Sequence, residues 1–147
     1  MTPADSYHEA LSSHRHYDTL ANAALTLMGT VITGAPALYA SVSKHHGTEA
    51  ILALSAIIII FAVNSYRRFD SYAGIALNVA AAIERGEESL PGNTGFAEVF
   101  KKIKAYPEMD STRTSWTFRR VRAIGYGAAV LFLAVAAFIA GNGIPSG

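Results

Sequence analysis

All 12 lysines and arginines and all 11 aspartates and glutamates of this 147-residue chain lie outside three long apolar runs, residues 19–42, 50–66 and 123–144. At 1.5 Å of rise per residue the first run makes about 36 Å of helix, enough to cross a hydrocarbon core of about 30 Å with tilt to spare. The second run, with isoleucine at each of positions 57–60, is at the short limit for a span, so its helix is expected to continue past the interface. Helices buried in soluble proteins rarely run about 20 residues without a charge. Three of them in so short a chain would also leave too little amphipathic surface to cover them. Charged residues make up only 16% of the chain, against roughly 25% in soluble domains. The expected fold is therefore all-α: an integral membrane protein with three transmembrane helices, one membrane domain over residues 1–147, and a cytoplasmic helical extension at 67–122.

Orientation follows from the placement of Lys and Arg. The link between the first two runs holds only Lys44, whereas the segment between the second and third holds ten basic residues. Arg67 and Arg68 directly follow the second run, and Arg119, Arg120 and Arg122 directly precede the third. This places 67–122 and the N-terminus on the cytoplasmic side of an inner (plasma) membrane and the C-terminal residues outside. The first run is too long for the apolar region of a signal peptide, and residues 1–6 carry no basic charge, so cleavage is not expected.

Residues 1–18 read as a short helix, with Thr2 as N-cap and Pro3 at the first helical position. Its stripe of Tyr7, Leu11, His14 and Tyr17 suits the membrane face. After Arg68 another one-sided stripe begins, Phe69, Tyr72, Ile75, Val79 and Ile83, and no Gly–Pro break separates it from the second run. The reading is one helix from about 50 to 85 whose cytoplasmic stripe needs a partner. The nearest candidate is a basic helix at 96–106, with Phe96, Val99, Phe100 and Ile103 on one face and Lys101, Lys102 and Lys104 on the others; an anionic leaflet is the rival partner. Trp116 and Phe118 fit the interfacial aromatic belt ahead of the third run, and the basic clusters named above fit the headgroup level.

Candidate chemistry is sparse. Without cysteine there is no disulfide, thiolate metal site or thiol nucleophile. The five histidines lack metal-ligand spacing and read as surface or headgroup-level side chains; none lies in a span, which excludes a buried pair holding haem. No Gly-rich phosphate loop or GxSxG is present. No ionisable residue sits deep in a span, as proton pumps and ion-coupled carriers require. A net charge of +1 gives no field for nucleic acid. The expectation is a non-enzyme without cofactor or metal, its partners being the bilayer and other membrane subunits. The informative feature is a polar stripe on the first span: Asn22, Thr26, Thr30 and Thr33. It reads either as a helix–helix contact helped by Gly29 and Gly34 or as the lining of a pore in an oligomer. Small residues paired at four-residue spacing in the third span, such as Gly125 with Ala129, favour close packing.

The arrangement of residues 7–85, with Tyr66-Arg67-Arg68-Phe69 at the exit of the second span, resembles the bacterial two-transmembrane effector modules called SLATT domains. The resemblance implies an oligomeric pore-forming or membrane-perturbing effector; the third span departs from that plan. The alternative function is a non-catalytic accessory or scaffolding subunit of a larger membrane complex.

Overall fold

A 40-residue α-helix is about 60 Å long, twice the thickness of a hydrocarbon core, so a helix of that length has to serve two environments. The computed structural model of the protein describes residues 3–42, 49–84 and 116–142, and among these it contains two such helices. They are α1, Pro3–Val42 (40 residues), and α2, Glu49–Glu84 (36 residues); α3, Trp116–Asn142, adds 27 residues. The described residues are all helical, and each helix is long and apolar enough to cross a membrane. α2 matches the uninterrupted helix read from the sequence. α1 differs, because the expected short N-terminal helix and the first span are one element. No glycine or proline lies between Pro3 and Gly29, so nothing in that stretch stops the helix at the charged boundary. The expected helix at 96–106, with Lys101 and Lys102, lies outside the described residues.

The chain divides into two compact units, Met1–Asn22 with Arg67–Trp116 and Ala23–Tyr66 with Thr117–Gly147. The divisions on α1 and α2 fall where the charges stop. Among the described residues, eleven of the twelve exposed large apolar side chains belong to the second unit, Leu54, Ile57, Phe61, Val130, Leu131 and Phe138 among them; Leu77 is the exception. A surface of that kind is a liability in water and suits lipid.

Within the second unit, segments of all three helices enclose a core of Met28, Ala35, Leu52, Ala56, Ile59, Ala62, Val63, Ala129, Phe132 and Ala136. Half of these are alanine. In lipid the hydrophobic effect does not drive helices together, so close approach and dispersion must do so, and small residues permit it. The closest approach is at Gly125, where an added Cβ would collide with Val63 Cγ2 and come within 2.9 Å of Met28 Sδ. Three hydroxyl side chains in this unit bond to their own helices: Thr33 Oγ1 donates to Gly29 O at 2.9 Å, Ser41 Oγ to Leu38 O at 2.8 Å and Ser55 Oγ to Ile51 O at 2.7 Å. Such back-bonding satisfies hydroxyls without water.

Within the first unit the N-terminal turns of α1 run antiparallel to the last turns of α2. Ala10, Val79 and Ala80 are buried together, flanked by Tyr7, Leu11, Ile75 and Ile83. This corrects one expectation: the stripe of Tyr7, Leu11, His14 and Tyr17 packs on α2 rather than lying on a membrane face. Ile75, Val79 and Ile83 of the α2 stripe pack against it there, so both faces leave water at once.

Candidate functional site

The two units present different side chains for function. In the first, three contacts set the register of α1 on α2. Tyr7 Oη donates to Glu84 Oε1 at 2.7 Å, His14 Nδ1 donates to Ala73 O at 2.9 Å, and the Tyr17 and Tyr72 rings meet edge to face with centroids 5.2 Å apart. His14 is thus a part-buried packing residue rather than the surface histidine expected. The signal was its place on the Tyr7–Leu11–His14 stripe. Among the described residues, no group of three His, Asp or Glu side chains comes together as a metal site would need.

The Tyr7 hydroxyl is held above its ordinary titration range, first by its hydrogen bond to the Glu84 carboxylate, then by desolvation and the adjacent charge. Its protonated form is therefore favoured in the folded chain. The contribution is complete below the ordinary tyrosine pKa of 10.0 and is lost as pH rises through the higher folded value. Protection of the Tyr7 amide region from hydrogen exchange, corrected for intrinsic rate, should fall above that pH in the native chain. In Tyr7→Phe it should already be reduced at neutral pH and lose that step.

The polar stripe of α1 begins at Asn22, the last α1 residue of the first unit, and its three threonines lie in the second. The structure places Asn22, Thr26, Thr30 and Thr33 together on the exposed side, opposite the buried Ala21, Ala24, Met28 and Ala35. The stripe therefore faces away from the described core of its own chain. At Gly29 and Gly34 a Cβ would meet nothing within 4 Å. Among the described residues, no in-chain helix contact runs through these glycines.

Exposure reveals a pattern that the four polar residues alone obscured. Thr19, Ala23, Thr26, Thr30, Thr33 and Ala37 are all exposed and recur at alternating spacings of four and three residues. The two interleaved sevens make a lane suited to a second helix in left-handed packing. It consists only of small side chains, in contrast to the bulky outward residues of α2 and α3. Thr19 Oγ1 donates to Arg15 O at 2.9 Å and Thr33 Oγ1 to Gly29 O at 2.9 Å, so these hydroxyls need no water.

Asn22 is positioned differently from the threonines. Its Nδ2 donates to Asp18 Oδ2 at 3.4 Å. Carrying the Tyr17–Tyr72 pairing five residues along each helix sets Asn22 opposite Arg67, at the charged margin. That is an energetically ordinary place for an amide, unlike the middle of an apolar span.

The basic residues read as headgroup markers are exposed where described: Arg67 and Arg68 on α2, and Arg119, Arg120 and Arg122 on α3. The Arg122 guanidinium lies 5.8 Å from the centroid of the Tyr126 ring, and Tyr126 Oη donates to Asn64 Oδ1 at 3.0 Å. Trp116 opens α3. Sequence reasoning identified neither the Tyr126–Asn64 bond nor the collision site at Gly125, since both depend on which residues of distant segments meet. Comparison with protein families, with curated proteins and with solved structures finds no match in any of the three.

Proposed function

We propose that this chain is a non-catalytic integral membrane protein whose copies assemble through the outward lane of α1. The observation that supports this reading is the asymmetry of the second unit. α2 and α3 carry Leu54, Ile57, Phe61, Val130, Leu131 and Phe138 outward and α1 exposes Leu27 and Leu38 to one side, whereas the lane itself is Thr and Ala throughout. Bulky side chains fill the irregular space between lipid tails, while small ones at a regular repeat admit another backbone. Copies inserted by the same rule share one orientation, so their α1 lanes meet parallel and in register. A second copy therefore supplies the matching heptad, which a chance foreign helix does not.

In this reading the basic clusters at 67–68 and 119–122 and the N-terminus face the cytoplasm of an inner membrane. Bilayer perturbation or conduction along the threonines is the work of the assembly, as the SLATT-like layout implies. The threonine file supports the conduction version; the back-bonded hydroxyls of Thr19 and Thr33 support plain helix contact.

The test is the triple variant Thr26→Leu, Thr30→Leu, Thr33→Leu. The wild type should run in mild detergent as a multiple of its 15.6 kDa protomer, and the variant as the protomer. A wild-type protomer, or a variant of unchanged mass, would contradict the proposal. One copy bound to unrelated subunits would indicate the accessory-subunit alternative. An ion leak on overexpression that survives the triple variant would remove the lane as its path.

A further inference from the structure

Val63 of α2 and Met28 of α1 both reach Gly125 of α3, and the Tyr126–Asn64 bond lies beside them. This common level of the second unit gives an origin from which heights on the three helices are counted at about 1.5 Å per residue. Toward the N-terminus of α3 the first charge, Arg122, comes after about 5 Å, and toward the C-terminus of α2 the first, Arg67, after about 6 Å. In the other direction α2 reaches Glu49 after about 21 Å. From charge to charge, then, α2 offers about 27 Å. The bulky outward side chains stop sooner. On α3 they run from Ile124 to Phe138, about 21 Å, and the exposed residues beyond are Ala140, Gly141 and Asn142. On α1 the last is Leu38, about 15 Å from the common level, followed by exposed Ala40 and Ser41. Leu54, Ile57 and Phe61 of α2 fall inside the same slab.

We infer that the outward face of the second unit is fitted to a hydrocarbon layer of about 24 Å, that of lipids with short acyl chains, and that it thins a bilayer of about 30 Å around itself. The inference rests on the proposed membrane insertion. The charges of α2 and the bulky side chains of α3 bracket the thickness from above and from below. α1 and α3 do not set the limit, since α1 is uncharged from 19 to 42 and α3 from 123 onward. A span that is too long can tilt. One that is too short has no such remedy: either the lipid thins to meet it or a charge enters the hydrocarbon. Side chains lean toward the N-terminus of their helix, so the length that snorkelling adds at Glu49 is offset at Arg67, which leans back toward the apolar residues. The occupant of this face is lipid because its large side chains are uneven in size and spacing, which fluid acyl chains accommodate and a packed helix does not.

The experiment uses the full chain carrying Trp116→Phe and Leu131→Trp, which moves its single tryptophan to an exposed position midway along the α3 belt. The chain is reconstituted in vesicles that mix two phosphatidylcholines. One is a brominated reference with eighteen-carbon chains; the other is an unbrominated competitor with monounsaturated chains of fourteen, sixteen, eighteen or twenty-two carbons. Relief of quenching gives the affinity of each competitor for the face. Affinity should peak at fourteen or sixteen carbons and be about threefold lower at twenty-two. Glu49→Leu, which removes the outer charge of α2, should move the peak to eighteen. With Glu49 present, a peak at eighteen carbons or longer, or equal affinity at all lengths, would overturn the inference. A peak that Glu49→Leu leaves in place would overturn it too, because the charges of α2 would then not set the thickness. Absence of quenching at every length would show that position 131 does not meet lipid, and the inference would fall together with the membrane reading.

Discussion

Gly125→Val should unfold the three-helix core of the detergent-solubilised protein, costing about 3 kcal/mol or more, while Gly127→Val costs under about 1 kcal/mol. The two glycines are one half-turn apart on α3 and have the same intrinsic helix cost. They differ in what surrounds them. A Cβ at Gly125 collides with Val63 Cγ2 and crowds Met28 Sδ, whereas one at Gly127 meets nothing within 4 Å. Met28 is flexible enough to swing aside. Val63 is β-branched and fully buried, so relief requires α2 and α3 to separate. That separation would loosen the neighbouring contacts of Ile59, Ala129 and Phe132. Thermal unfolding of both variants in the same detergent, followed by circular dichroism, checks the claim. Equal melting of the two would mean that the helices do not meet at Gly125.

The second large effect is expected in the other unit. Ala10 is 1% exposed, packed with Val79 and Ala80 on α2. Ala10→Asp would place a carboxylate against two apolar side chains. A truncation that strands a buried charge costs about 3–5 kcal/mol, and opening the helix pair avoids most of that cost. An opening equilibrium shifted by about 3 kcal/mol raises the open population about 100-fold. Limited proteolysis within residues 5–17 should accelerate accordingly, and Ala10→Ser should change it far less. Unchanged cleavage of Ala10→Asp would show that the first turns of α1 are not held on α2.

The parts of this fold legible in the sequence are those fixed by local composition. The absence of charge over 19–42, 50–66 and 123–144 marks candidate spans because one charged side chain at the bilayer centre costs several kcal/mol, whatever its neighbours. The continuation of α2 past Tyr66 was legible for a similar reason, since no breaker interrupts it. Pairing was harder to read. Tyr7, Leu11 and His14 were visible as a stripe, as were Ile75, Val79 and Ile83. That they cover each other is a fact about residues some 60 to 80 positions apart, such as Tyr7 and Glu84. The same limit applied to the glycines. Gly29, Gly34 and Gly125 all sit in apolar helix, and only the third is a point of contact. For the candidate site, the threonines were legible by type but not by direction. Exposure separates a stripe that packs on its own chain from one turned away from it, and adds Thr19, Ala23 and Ala37 to complete the repeat.

Because the chain has no native cysteine, single substitutions report cleanly on side-chain access to a membrane-impermeant thiol reagent. Ser12, Leu131 and Asn142 are all exposed, so the chain's own packing shields none of them. If the second unit lies in lipid, Leu131→Cys stays unlabelled in sealed membranes, Asn142→Cys is labelled from outside intact cells, and Ser12→Cys reacts only after permeabilisation. Rapid labelling of Leu131→Cys in the sealed state, or of Ser12→Cys and Asn142→Cys from the same side, would contradict a three-span insertion.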